Sequence, residues 1–79
     1  MIEQIPVSLK NVEDVNRFVN ILSQFDVDFD LYCGRYCVDA KSILGIMTMD
    51  LRNKMMIQGN CNQNDRRVLE RELKRNALA

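Results

Sequence analysis

Three groups of side chains in this sequence could do chemistry, and each would use a different reagent. Asp28, Asp30 and Asp39 are carboxylates set in an alternating run, the kind of cluster a hard cation can use. Cys33 and Cys37 are thiols four residues apart, and Cys61 stands alone. Ser42 lies in "VDAKSILGIM", residues 38–47, where the alternation stops and Ile43, Leu44, Ile46 and Met47 follow, broken only by Gly45. A serine there caps a helix or marks a place where another protein reads or modifies the chain. Histidine is absent from all 79 residues. Three cysteines without metal-type spacing therefore predict neither a zinc site nor a disulfide framework, and reduced thiols packed as small apolar groups are expected.

The elements that would carry these residues decide among the readings. "VDFDLYCGRYCVDA" alternates polar and apolar residues around Gly34-Arg35, a pair suited to a tight turn, and predicts a β-hairpin. The register pairs Cys33 with Tyr36, Tyr32 with Cys37, Leu31 with Val38 and Asp30 with Asp39. Val27, Phe29, Leu31, Cys33, Tyr36, Val38 and Ala40 then share the core face, and Asp28, Asp30, Tyr32, Cys37 and Asp39 the wet one. Cys33 and Cys37 are thereby sent to opposite sides, too badly aimed for a disulfide. The aspartates, with Asp28 near Lys41, read as solvated carboxylates rather than a metal site.

Around the hairpin, Ile5, Val7 and Leu9 alternate as a half-buried strand, with Pro6 suited to an edge. Val12, Val15, Phe18, Val19, Leu22 and Phe25 recur at helical steps, with Asn11 as N-cap and Glu13 and Asp14 in the first turn. A short helix is expected from Ser42 to about Met49, then a strand at "KMMIQG". A final helix in "NQNDRRVLERELKRNALA" buries Val68, Leu69, Leu73 and Ala77 and pairs Arg66 with Glu70 and Glu70 with Lys74. The order β-α-β-β-α-β-α implies an α+β fold, an antiparallel four-stranded sheet with three helices on one face.

Composition bounds the function. A chain of 79 residues, 47% hydrophobic and 28% charged, suits one domain over residues 1–79 with a net stability of roughly 4 to 12 kcal/mol. No stretch reaches the length of a membrane span, and "MIEQIPVSLK" lacks the basic start and greasy middle of a signal peptide, so a cytoplasmic protein is expected. Eleven basic and eleven acidic residues cancel, although residues 1–40 carry three Lys/Arg against seven Asp/Glu and residues 41–79 carry eight against four. That dipole can orient a protein partner. It is too interleaved with acids to predict nucleic-acid binding.

"KSILGIM" following a hairpin, with "SQFDVDFDL" leading into it, resembles HPr, the phosphocarrier family of the bacterial sugar phosphotransferase system. The resemblance covers nearly the whole chain and implies an open-faced sandwich. In that family a histidine at the start of the first long helix accepts phosphate beside an arginine; the matching positions here are Asn11 and Glu13. An amide is no phosphoryl acceptor, and a carboxylate repels phosphate. The resemblance therefore implies a non-enzymatic, cofactor-free relative that lacks the carrier histidine and acts as a regulatory or protein-binding module. It further implies phosphorylation of Ser42 by a dedicated kinase, and partner docking through Lys41, Ile43, Leu44 and Met47. The partners would be a phosphotransferase-system enzyme, an HPr kinase or a transcriptional regulator. The segment "TMDLRNKMMIQG" is shorter than its counterpart in the family. The alternative is a small ligand-binding regulatory domain of ferredoxin-like type, against which stand the shortness of the second helix and the absence of a convergent nucleophile, base or glycine-rich loop.

Overall fold

The computed structural model describes the backbone of residues 2–79 and the side chains from Gln4 onward. Alternating apolar residues build β1 (Ile2–Val7), β2 (Phe29–Cys33), β3 (Tyr36–Asp39) and β4 (Met55–Asn60). Residues at helical spacing build α1 (Val12–Leu22) and α3 (Gln63–Arg75), and a single turn, α2 (Ile43–Ile46), links β3 to β4. The element order is the expected one.

The sheet runs β1-β4-β2-β3, with every neighbouring pair antiparallel. β1 lies at an edge, where one side of the backbone needs no ladder donor, and Pro6 is tolerated there opposite Met56. The hairpin has the expected register, from Cys33 opposite Tyr36 to Asp30 opposite Asp39. Gly34 turns it at φ 62°, a conformation that costs glycine little. β4 then docks on the other side of β2, with Leu31 beside Ile57 and Phe29 beside Gly59.

One face of this sheet is dry. Ile5, Val7, Phe29, Leu31, Met55 and Ile57 form a continuous core with Val15, Phe18 and Leu22 of α1, Ile46 of α2, and Leu69 and Leu73 of α3. Asp30, Tyr32, Cys37, Asp39 and Met56 face solvent on the other side, so the helices do gather on one face. Gly59 is buried where a Cβ would strike the Phe29 ring and approach the Asp28 carbonyl oxygen to 3.2 Å.

Several details depart from the sequence pattern. Val12 stands at a core-facing step of α1 yet is 50% exposed, as the first residue of the helix. α1 stops at Leu22, and Phe25 is buried from the following turn rather than from the helix. α2 stops at Ile46 with Met47 as its C-cap, well short of Met49. Tyr36, placed on the core face by the alternation, is 70% exposed because no element covers the end of β3.

The last helix also ends early. Ala77 leaves it with φ 58° and is exposed, while Leu78 takes the buried place. The Leu78 amide donates to the Leu73 carbonyl at 2.8 Å and the Ala77 amide to that of Lys74 at 3.0 Å, the paired closure of a helix ending in a left-handed residue. The Leu78 carbonyl then accepts the Ser8 amide at 2.8 Å and fastens the chain end beside β1. Arg66 reaches Glu70 at 2.9 Å as spaced, whereas Lys74 has no ion pair among the described residues.

Candidate functional site

Two helix starts and the surface between them hold the residues singled out by type. At α1, Asn11 has extended backbone and its side-chain oxygen accepts the Asp14 amide at 2.8 Å, a standard cap. Asp14 returns the favour to the preceding backbone by accepting the Lys10 amide at 2.9 Å. Its carboxylate is also the partner of the Arg17 guanidinium, one turn on. The Lys10 amide holds the Asp14 carboxyl below the ordinary carboxylate value; burial opposes this, and Arg17 reinforces it. Asp14 is the buried charged side chain of the described residues, at 5% exposure.

The start of α1 is thus furnished with its own anion. Its dipole favours negative charge at this end, and Asp14 already supplies it. Glu13 beside it is exposed and adds a second carboxylate. The Arg17 guanidinium is engaged by Asp14, and Lys10 adds a weaker positive influence on the same carboxylate. Asp14 and Arg17 were not distinguished by sequence pattern beyond the dipole of the first turn; their spacing of three, on one helix face, was the available signal.

At α2, Ser42 has extended backbone and its hydroxyl oxygen accepts the Gly45 amide at 3.1 Å, which makes it the expected cap. It is half-buried. Lys41 does not reach out to solvent or to Asp28: its ammonium donates to the Phe25 carbonyl at 2.7 Å and ties the start of α2 to the chain just past α1. The Asp39 carboxylate accepts the Lys41 amide at 2.9 Å and tightens the same corner.

One turn of helix cannot bury four large apolar residues. Ile46 is wholly buried, while Ile43, Met47 and Leu44 are exposed at 41%, 43% and 84%. α1 and α2 pack against each other. Exposed apolar groups clustered on one turn suit contact with another protein, and methionine adapts to varied shapes.

The remaining candidates are held apart. Cys33 is buried and Cys37 exposed on the opposite face, and all three cysteines are free thiols. Burial, aided by Asp65, pushes the Cys61 thiol above its usual value. A hydrogen bond with Cys37 pushes the Tyr32 hydroxyl up, with smaller help from Asp30. Asp28, Asp30 and Asp39 lie on the wet face, and no group of three metal-binding side chains converges among the described residues.

With this geometry described, likeness to known proteins can be placed on it. The family model for the PTS HPr component phosphorylation site matches residues 14–75. A phosphocarrier protein HPr from Bacillus anthracis str. Ames superposes with a TM-score of 0.68 at 28% identity, over 90% of this chain and 92% of that one. The histidine-containing phosphocarrier protein of Mycoplasma gives 0.72 at 14% identity, over 96% and 97%. HPr-C-His from Thermoanaerobacter tengcongensis gives 0.72 at 20%, over 94% and 91%; these last two speak to the fold. A comparison with curated protein sequences finds no match. The ferredoxin-like alternative is not favoured, and by the family match over most of its length, together with its strand order and open-faced sheet, the chain belongs to the HPr family of the phosphotransferase system.

Proposed function

We propose that this HPr-family chain works by recognition rather than by carrying phosphate on a histidine. The observation that carries the reading is the start of α1, where Asn11 caps the helix and Asp14, held by the Lys10 amide and Arg17, occupies the place with negative charge. The phosphoryl acceptor of the family stands at the position of Asn11, and its supporting cation at the position of Glu13. With no histidine in the sequence, an incoming phosphoryl group meets no acceptor, and Glu13 stands where the family places its supporting cation.

The protein's activity is then occupancy. A protein of the phosphotransferase system, an HPr kinase or a transcriptional regulator docks on Ile43, Leu44 and Met47, with Lys41 bracing the turn that presents them. Ser42 is the modification candidate, since phosphate on its hydroxyl would displace the bond to the Gly45 amide and change the charge beside the docking surface. The described helices include none long and apolar enough to cross a membrane, which fits a cytoplasmic role.

Incubation with phosphoenolpyruvate and the general phosphotransferase enzymes tests the first part, and no acid-labile label is expected on the protein. Label of that kind would overturn the reading. Incubation with an HPr serine kinase should label the wild type and spare Ser42→Ala. Equal label on both would remove Ser42 from the proposal.

A further inference from the structure

The helix-side face of the sheet is left uncovered at the hairpin end. Tyr36 opens β3 on that face and is largely exposed, and Val38, two residues on, is half-buried. α2 lasts a single turn, and the short connection from Met47 to Lys54 runs beside the hairpin tip. Between them lies an open groove of about 710 Å³. That size lies within the roughly 300 to 1,000 Å³ of small-molecule sites.

Its lining has two characters. Tyr36, Val38 and Met49 offer an aromatic and aliphatic wall. Arg35 and Lys54 bring two exposed cations that have no ion pair among the described residues. Asp50 is the carboxylate of the groove, and its charge is spoken for: both oxygens accept from Arg52, at 3.0 Å from Nε and 2.9 Å from the terminal nitrogen. Those hydrogen bonds hold the Asp50 carboxyl at about 2, so it stays ionised, with Arg52 beside it, across the ordinary pH range. The groove therefore has a positive balance beside an apolar wall. Ser42 is not among its lining residues, and the proposed binding requires no modification there.

We propose that this groove binds a small molecule with one anionic group on a flat apolar body, the anion held by Arg35 and Lys54 and the body laid against Tyr36, Val38 and Met49. A phosphate ester and a carboxylate share this chemistry. The two cations would repel a cationic ligand of the same shape.

Two-dimensional amide spectra of the labelled chain test this, with phenyl phosphate, benzoate, inorganic phosphate and benzylamine titrated separately. Saturable shifts confined to residues 33–38 and 48–54 are expected with phenyl phosphate or benzoate, and whichever binds more tightly identifies the anion class. Benzylamine should leave those amides unmoved. The Arg35→Glu, Lys54→Glu double variant changes only exposed side chains, and should keep the dispersed spectrum while weakening binding at least tenfold. Tyr36→Ala should weaken the ring-bearing ligand severalfold without affecting inorganic phosphate. Equal affinity for inorganic phosphate and phenyl phosphate, shifts spread over the surface, or binding unchanged by the double charge reversal would each overturn the proposal.

Discussion

The Asp14 carboxylate accepts the Lys10 amide four residues before it, at 2.9 Å, while its own amide is capped by Asn11 at 2.8 Å. This reciprocal closure satisfies donors on both sides of the helix start. It also makes Asp14 sensitive to acid. The folded-state pKa lies below the ordinary 3.8, so its contribution is present in full above the unfolded value and disappears as pH falls through the folded one. Melting temperature followed from pH 6 to pH 2 should fall below about pH 4. Asp14→Asn should flatten part of that fall; an unchanged profile would mean that Asp14 contributes nothing to it.

Leu44 is 84% exposed and Ile46 fully buried, although they are two residues apart on the same turn. Leu44→Asp and Met47→Asp should leave unfolding stability within about 0.5 kcal/mol of wild type while abolishing partner capture. Ile46→Asp should unfold the protein or cost several kcal/mol, since a buried carboxylate has no partner there. Retention of the same partners by both surface variants would reduce α2 to a connection.

Ser42 holds the Gly45 amide with its hydroxyl. Ser42→Ala should cost about 1 kcal/mol, seen as faster hydrogen exchange at Gly45, whereas Ser42→Asn keeps a cap and should restore protection. Any loss of kinase labelling common to both variants then reports the missing hydroxyl rather than a melted turn. Normal protection of Gly45 in Ser42→Ala would contradict the capping role.

Ala77 sits at φ 58°, where its Cβ crowds the backbone. Ala77→Gly should relieve that strain and, after the entropy glycine loses on folding, stabilise the protein by about 0.5 to 1 kcal/mol. A rise of roughly 3 to 6 °C in thermal denaturation is expected for a domain of this size. A fall would show that the left-handed closure beside Leu78 is not retained in solution.

Gly59 faces the opposite constraint. Its Cβ would enter the Phe29 ring, which the core fixes on its other side. Gly59→Ala should destabilise by about 1 to 3 kcal/mol in chemical denaturation, as overpacking does. Combining it with Phe29→Leu should recover part of the loss, and strict additivity would exclude the contact.

Periodicity alone carried most of the fold. The hairpin register is legible because alternation has period two, so a slip by one residue would drown Asp30 and expose Leu31. Asn11 and Ser42 are legible as caps because short polar side chains before an apolar run have few better uses. "KSILGIM" pointed to the family for the same reason that it forms the turn: cap, glycine and apolar residues stand in a fixed order.

What the pattern leaves open is which neighbour arrives. Tyr36 and Val12 carry the same apolar signal as Leu31 and Phe18, yet they lie where the sheet or the helix layer ends. Alternation and helical spacing report which side of an element a residue takes, a local property of the backbone; whether that side is covered depends on chain segments far away in sequence. The groove beside Tyr36, the commitment of Lys41 to Phe25 and the burial of Leu78 in place of Ala77 are all decided at that level, by packing of distant segments. The absence of histidine was settled by the residues themselves, whereas the occupation of the α1 start by Asp14 required the helix to bring its carboxylate back to the Lys10 amide.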